Sequence, residues 1–164
     1  MLNTINVKID LINNESINKC CEYSKNKIEL KKLLSELKIY ATFQGYYKYF
    51  EDDKDKRNIY EIEITRNDKI INFTFGISIQ NTKILNNNYK SGKDIKNIRN
   101  DFLYSILSCI SCDYFIDNDF QSFCSDFGYN EDSIKALETH KKCIEQSKKL
   151  KKIFNENEIE CLPS

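Results

Sequence analysis

Two residue pairs hold the types that bind a tetrahedral metal ion. Cys109 and Cys112 stand three apart, as do His140 and Cys143, and thiolates with an imidazole at that spacing are the ligands of structural zinc. Such pairs usually sit on knuckle turns beside glycine. Both pairs here fall in stretches of helical periodicity, where positions i and i+3 merely share a face. They are better explained as small buried hydrophobes than as ligands. Cys124, between Phe123 and Phe127, has the same explanation as core filling. His140 is the only histidine, and so the natural base for a thiol nucleophile. No glycine-rich turn or helix N-terminus presents a cysteine as an activated thiolate, however. The expectation is a protein without catalytic residues, bound metal or cofactor.

Charged residues offer a second kind of chemistry. From Asp113 to Asp132 the chain carries six acids, Asp113, Asp117, Asp119, Asp126, Glu131 and Asp132, and no Lys or Arg. Their order lacks the D-x-D-x-D-G spacing of an EF-hand loop, and a solvated helix face accounts for them. Their other use is a partner contact, in which Asp113, Asp117, Asp119, Asp126 and Glu131, with aromatics beside them, occupy a basic nucleic-acid groove of another protein. A basic run follows at Lys141, Lys142, Lys148, Lys149, Lys151 and Lys152. With Tyr40, Tyr46, Tyr47, Tyr49 and Tyr60 as stacking platforms, Lys141, Lys148, Lys149 and Lys152 would suit single-stranded nucleic acid. Only three arginines in the chain weaken that alternative. Four glycines, Gly45, Gly76, Gly92 and Gly128, leave no phosphate-cradling loop.

The whole chain balances these charges. It has 164 residues, with 25 Lys+Arg against 25 Asp+Glu and a pI of about 6.6, which excludes a net-basic nucleic-acid binder. The balance is uneven along the sequence. Residues 1–93 hold 16 bases and 12 acids, whereas 94–164 hold 9 and 13. A hydrophobic fraction of 40% is enough for one compact domain over 1–164. There is no apolar run of the roughly 20 residues that a bilayer requires, and no basic stretch leading into an apolar one at the start. A cytosolic protein without membrane contact is expected. Seven irregularly spaced cysteines then favour reduced thiols.

The elements that must carry these residues follow from periodicity. Residues 5–11 alternate at Ile5, Val7, Ile9 and Leu11, as a short strand or extended arm would. Asn14 and Ser16 offer caps for a helix through Tyr23 and on toward Leu37. Three strands of a meander come next: Leu37 to Phe43, Tyr60 to Ile64 and Ile71 to Ile79, all with a period of two. Arg66-Asn67-Asp68-Lys69 is the turn of a hairpin over 59–80. The polar segments 51–58 and 81–93 are connecting loops. A buried helix runs from an Asp94 cap to about Tyr114, a short one from about Asp117 to Asp126, and Gly128 ends the second. Asn130 caps the last helix, with Glu131 and Asp132 in its first turn and a core stripe of Ile134, Leu137, His140, Ile144, Ser147, Leu150 and Phe154. Residues 155–164 are expected to fray. The sum is an α+β domain: a small antiparallel meander of about three strands, three C-terminal helices over 94–154, and an N-terminal addition within 1–50.

One junction resembles a known family. Phe120, Phe123, Cys124, Phe127, Gly128, Tyr129, Asp132 and Ser133 form a Phe-x-x-Phe-Cys-x-x-Phe-Gly-Tyr-x-x-Asp-Ser pattern. With the preceding FTFGISI strand, it resembles a widespread group of small phage and prophage proteins of unsettled activity, over roughly Tyr60 to Phe154. The resemblance does not extend to Cys109 and Cys112. It implies a phage accessory protein of the anti-CRISPR type, a host-defence inhibitor that binds a Cas effector by steric occupancy without catalysis. A nucleic-acid-binding prophage regulator is the alternative.

Overall fold

A computed structural model describes residues 8–48, 56–78 and 92–163. Its centre is a four-stranded antiparallel sheet in the order β1-β2-β3-β4, made of Lys8–Asp10, Leu37–Lys48, Lys56–Arg66 and Lys69–Ser78. The period-two pattern sets the register. Ile39 faces Ile64, Ala41 faces Ile62 and Phe43 faces Tyr60 across β2 and β3, while Ile64, Ile62 and Tyr60 face Ile71, Phe73 and Phe75 across β3 and β4. These apolar side chains thus share one face, whereas Ile70, of the opposite parity, is exposed. On the other face Lys8 lies 3.5 Å from Glu63. The ladder steps by one residue at Gln44, between the pairs Phe43–Tyr60 and Gly45–Ile59, a bulge. The β3–β4 turn is the expected one, and Asn67 takes φ 56°, a left-handed conformation that asparagine tolerates.

Six helices among the described residues complete the α+β fold: α1 (Asn14–Cys21), α2 (Lys27–Ser35), α3 (Gly92–Asp113), α4 (Phe120–Phe127), α5 (Ile134–Ile153) and α6 (Glu156–Glu160). Helix α3 covers the sheet with Phe102, Leu103, Ile106, Leu107, Ile110 and Tyr114, all buried. Ser147 Oγ donates to the Tyr114 carbonyl at 2.8 Å and Tyr114 Oη donates to the Phe154 carbonyl at 3.1 Å, which ties α5 to the end of α3.

Several boundaries differ from expectation. The N-terminal helix is two helices, each begun by an asparagine: the Asn13 side chain accepts from Ser16 N–H and that of Asn26 from Glu29 N–H. Asn14 is therefore the first helical residue, and the break falls where a second cap outcompetes continuation. The N-terminal strand does form, at Lys8–Asp10, and makes the sheet four-stranded rather than three-stranded. The segment within 1–50 is integral to the core, since Leu11, Cys20, Leu30, Leu34 and Ile39 are each no more than 1% exposed. Asp94 lies inside α3, which begins at Gly92. Ser133, not Asn130, caps α5, so Glu131 and Asp132 precede the helix. The expected fraying tail instead forms α6, with Ile159 and Leu162 buried. Ile5, Val7, Tyr49, Ile79 and most of the two connecting loops lie outside the described residues.

Candidate functional site

The cysteines and histidine are not brought together as a single ligand set. Cys109, Asp113 and Cys143 line a cleft of about 200 Å³ between α3, α5 and β4, together with Phe73, Phe75, Ile110 and Lys142. His140 faces α4 instead. Its Nε2 lies 2.9 Å from the Asp117 carbonyl oxygen, and its ring packs on Phe123 and Phe120 at centroid distances of 4.7 and 5.5 Å. Cys112 is exposed. Among the described residues no three of His, Cys, Asp and Glu are placed to hold a metal ion. Burial, and then the Asp113 carboxylate, push the Cys109 and Cys143 thiols up from their ordinary values. Neither is an activated thiolate.

The acids divide by what they touch. Asp113 faces the cleft, and burial raises its carboxyl above the ordinary range. Asp117 accepts from the Asp119 N–H at 2.9 Å, and Asp119 caps α4, accepting from Ser122 Oγ at 2.9 Å and from Gln121 N–H. The Ser122 hydrogen bond holds the Asp119 carboxyl below its usual range. Asp117 and Asp119 are thus occupied in shaping the α3–α4 connection. Asp126 and Glu131, with Asp132, stand exposed at the next turn.

That turn is the centre of the site. Gly128 has φ 72° and ψ 26°, and both its N–H and that of Tyr129 donate to the Cys124 carbonyl. This is the left-handed helix ending that favours glycine. A Cβ at Gly128 would meet nothing within 4 Å, so backbone conformation and not space selects glycine there. Phe123, 2% exposed, anchors the corner: Tyr129 stacks on it with an interplanar angle of 12°, and the Phe127 ring lies 4.9 Å away. Phe127 does not itself lock α4 to the core, because it is 56% exposed. Ile134 and Leu137, expected in the core stripe of α5, are 75% and 41% exposed. With Ser133 as the cap, the buried arc of α5 runs instead through Ala136, His140, Ser147, Leu150 and Ile153. Four large apolar side chains, Phe127, Tyr129, Ile134 and Leu137, are thereby left facing water within eleven residues, beside Asp126, Glu131 and Asp132. A helical period taken from sequence does not reveal this, since the packing of α5 against β4, α3 and α4 selects the buried arc.

The lysines lie along the rest of α5. Lys141, Lys148 and Lys152 share its outer stripe, interleaved with Glu138 and Glu145, and all five are exposed. Lys149 turns toward the sheet and donates to the Asn72 carbonyl at 3.4 Å. Tyr60, one of the proposed stacking platforms, is buried against Phe43 and Phe102 and is not available to a base. A larger cleft of about 690 Å³ opens between α2 and α6. Its floor is Arg66, whose guanidinium donates to Glu158, Glu36 and the Ile153 carbonyl over 2.6–2.8 Å. Arg66 thus serves as a clamp, with its charge already matched. No family model, curated protein or solved structure matches the chain. No helix among the described residues is long and apolar enough to cross a membrane.

Proposed function

We propose that the protein acts by occupying the surface of another protein, with the α4–α5 corner as the contact. The supporting observation is the exposure of Phe127, Tyr129, Ile134 and Leu137 beside Asp126, Glu131 and Asp132. Large contiguous apolar patches are uncommon on monomers and tend to mark partner contacts, and aromatic anchors inside a polar rim are the usual anatomy of an interface. The acids select a basic partner. A groove that holds nucleic acid carries that charge. Taken with the resemblance of the Phe120 to Ser133 junction, the role that fits is a phage or prophage-encoded host-defence inhibitor in the host cytosol. As an anti-CRISPR protein it would deny a Cas effector its guide or target by steric occupancy. The alternative of a nucleic-acid-binding regulator has less support, because Glu138 and Glu145 interrupt its lysine stripe.

Affinity capture with candidate Cas effectors tests the proposal. The wild-type chain should retain an effector, and the triple variant Asp126→Lys, Phe127→Ser, Glu131→Lys should retain roughly tenfold less or weaker still with an unchanged circular dichroism spectrum. The role fails if no effector is recovered and expression of the gene leaves phage plaquing unaltered.

A further inference from the structure

We propose that a second copy of this chain pairs with the outer face of α5 in an antiparallel, two-fold symmetric dimer. Ile134, Glu138, Lys141, Glu145, Lys148 and Lys152 follow one another at intervals of three or four and so form a single stripe, with Leu137 at its edge. All seven are exposed, opposite the buried arc. The stripe is about 27 Å long at the helical rise. It is apolar and acidic at its N-terminal end and lysine-rich at its C-terminal end. Among the described residues Glu138, Lys141, Glu145, Lys148 and Lys152 make no ion pair, although Glu138 and Lys142, or Lys141 and Glu145, have the spacing for one.

The order of the residues matches itself when reversed. A two-fold axis level with Cys143 sets Glu138 against Lys148 of the second copy, Lys141 against its Glu145, and Ile134 along the aliphatic stem of its Lys152. The axis repeats every pair, as an isologous interface requires, and lysine stems can cover apolar surface while their ends stay wet. A parallel arrangement would oppose Glu138 with Glu138 and Lys148 with Lys148. Zero net charge on the whole chain removes long-range repulsion between copies. Because exposed ion pairs are weak and screened, the dimer is a dissociating one whose stability falls with salt.

Sedimentation equilibrium of the full chain over a concentration series tests this. Wild type should show a monomer–dimer equilibrium whose dissociation constant rises at least tenfold between about 0.05 M and about 0.5 M salt. Glu138→Lys and Lys148→Glu should each be monomeric, since both place like charges across the seam. The double variant Glu138→Lys, Lys148→Glu should dimerise again, because the swapped charges face one another. Restoration by the double variant distinguishes pairing from a general effect of charge, and circular dichroism checks that each variant is folded. Phe127→Ser should dimerise as wild type does, which separates this seam from the Phe127 side of the corner. A wild-type chain that is monomeric throughout the series overturns the proposal. So does a dimer indifferent to either single reversal, or a double variant that stays monomeric.

Discussion

Phe123 and Phe127 are one turn apart and chemically identical, yet they have different work. Phe123 is 2% exposed and touches His140, Tyr129 and Phe127, whereas Phe127 is 56% exposed and meets the cluster through one tilted ring contact with Phe123. Truncating a buried phenylalanine removes its transfer free energy and leaves a cavity. Phe123→Ala should therefore lower the urea-unfolding free energy by about 3 kcal/mol, and Phe127→Ser, which gives up one tilted ring contact, by about 1 kcal/mol or less. Equal losses for the two would mean that Phe127 is packed and that the corner is not a free surface. The sequence places a short helix here ended by Gly128, as observed, although the helix starts at Phe120 behind an Asp119 cap and not at Asp117. It could not say which of the two phenylalanines faces inward, because Phe120, Phe123, Cys124 and Phe127 all belong to one i, i+3, i+4, i+7 set. What decides is the packing of α5, whose His140 ring lies against Phe123.

Elements are joined here by contacts that local pattern does not encode. Arg66 looks like a turn residue, and it does end β3. Its guanidinium nevertheless reaches Glu36 just past α2 and Glu158 in α6, the latter 92 residues along the chain. Residues 155–164 read as a fraying tail, since a short polar segment has no helical stability of its own; the Asn155–Glu158 capping box of α6 and the Arg66 clamp are what hold it. The clamp has a pH signature. Hydrogen bonding to Arg66 is the main reason the Glu158 carboxyl lies below its ordinary value of 4.5. A carboxyl lowered on folding stabilises fully above its unfolded value, and that contribution is lost as pH falls through the lower folded value. Glu158→Gln should cost about 1–2 kcal/mol at neutral pH, a figure reduced for a side chain that is 20% exposed. Urea titrations repeated down the acid range should show the variant and the wild type converging below that window. A difference that persists at low pH would assign the loss to packing and not to the ion pair.

At the scale of the whole molecule, the α+β class was legible because two periods, two in the middle and 3.6 after it, occupy separate stretches of sequence. The closure of the core was not, since it joins the two ends of the chain. The same buried cluster contains Leu11, Cys20 and Leu34 from the N-terminal part, the inner face of the sheet, α3, and Phe154, Ile159 and Leu162 from the C-terminal end. Ser24 Oγ donates to the Cys161 carbonyl, which closes the ring between the first two helices and the last. Ile159 and Leu162 are 1% and 4% exposed, and burying each is worth roughly 2 kcal/mol. With the Glu158 contact to Arg66 added, deleting residues 155–164 should cost roughly 5 kcal/mol, a large part of the total stability of a domain this size. The truncated chain should show a much lower urea midpoint, or no cooperative transition at all. The loss should not be confined to the neighbourhood of α2: hydrogen exchange should speed up in β2 and β3 as well, because Leu33, Leu34 and the sheet share one core. Unchanged protection in those strands would show that the C-terminal segment is an appendage docked on a core complete without it.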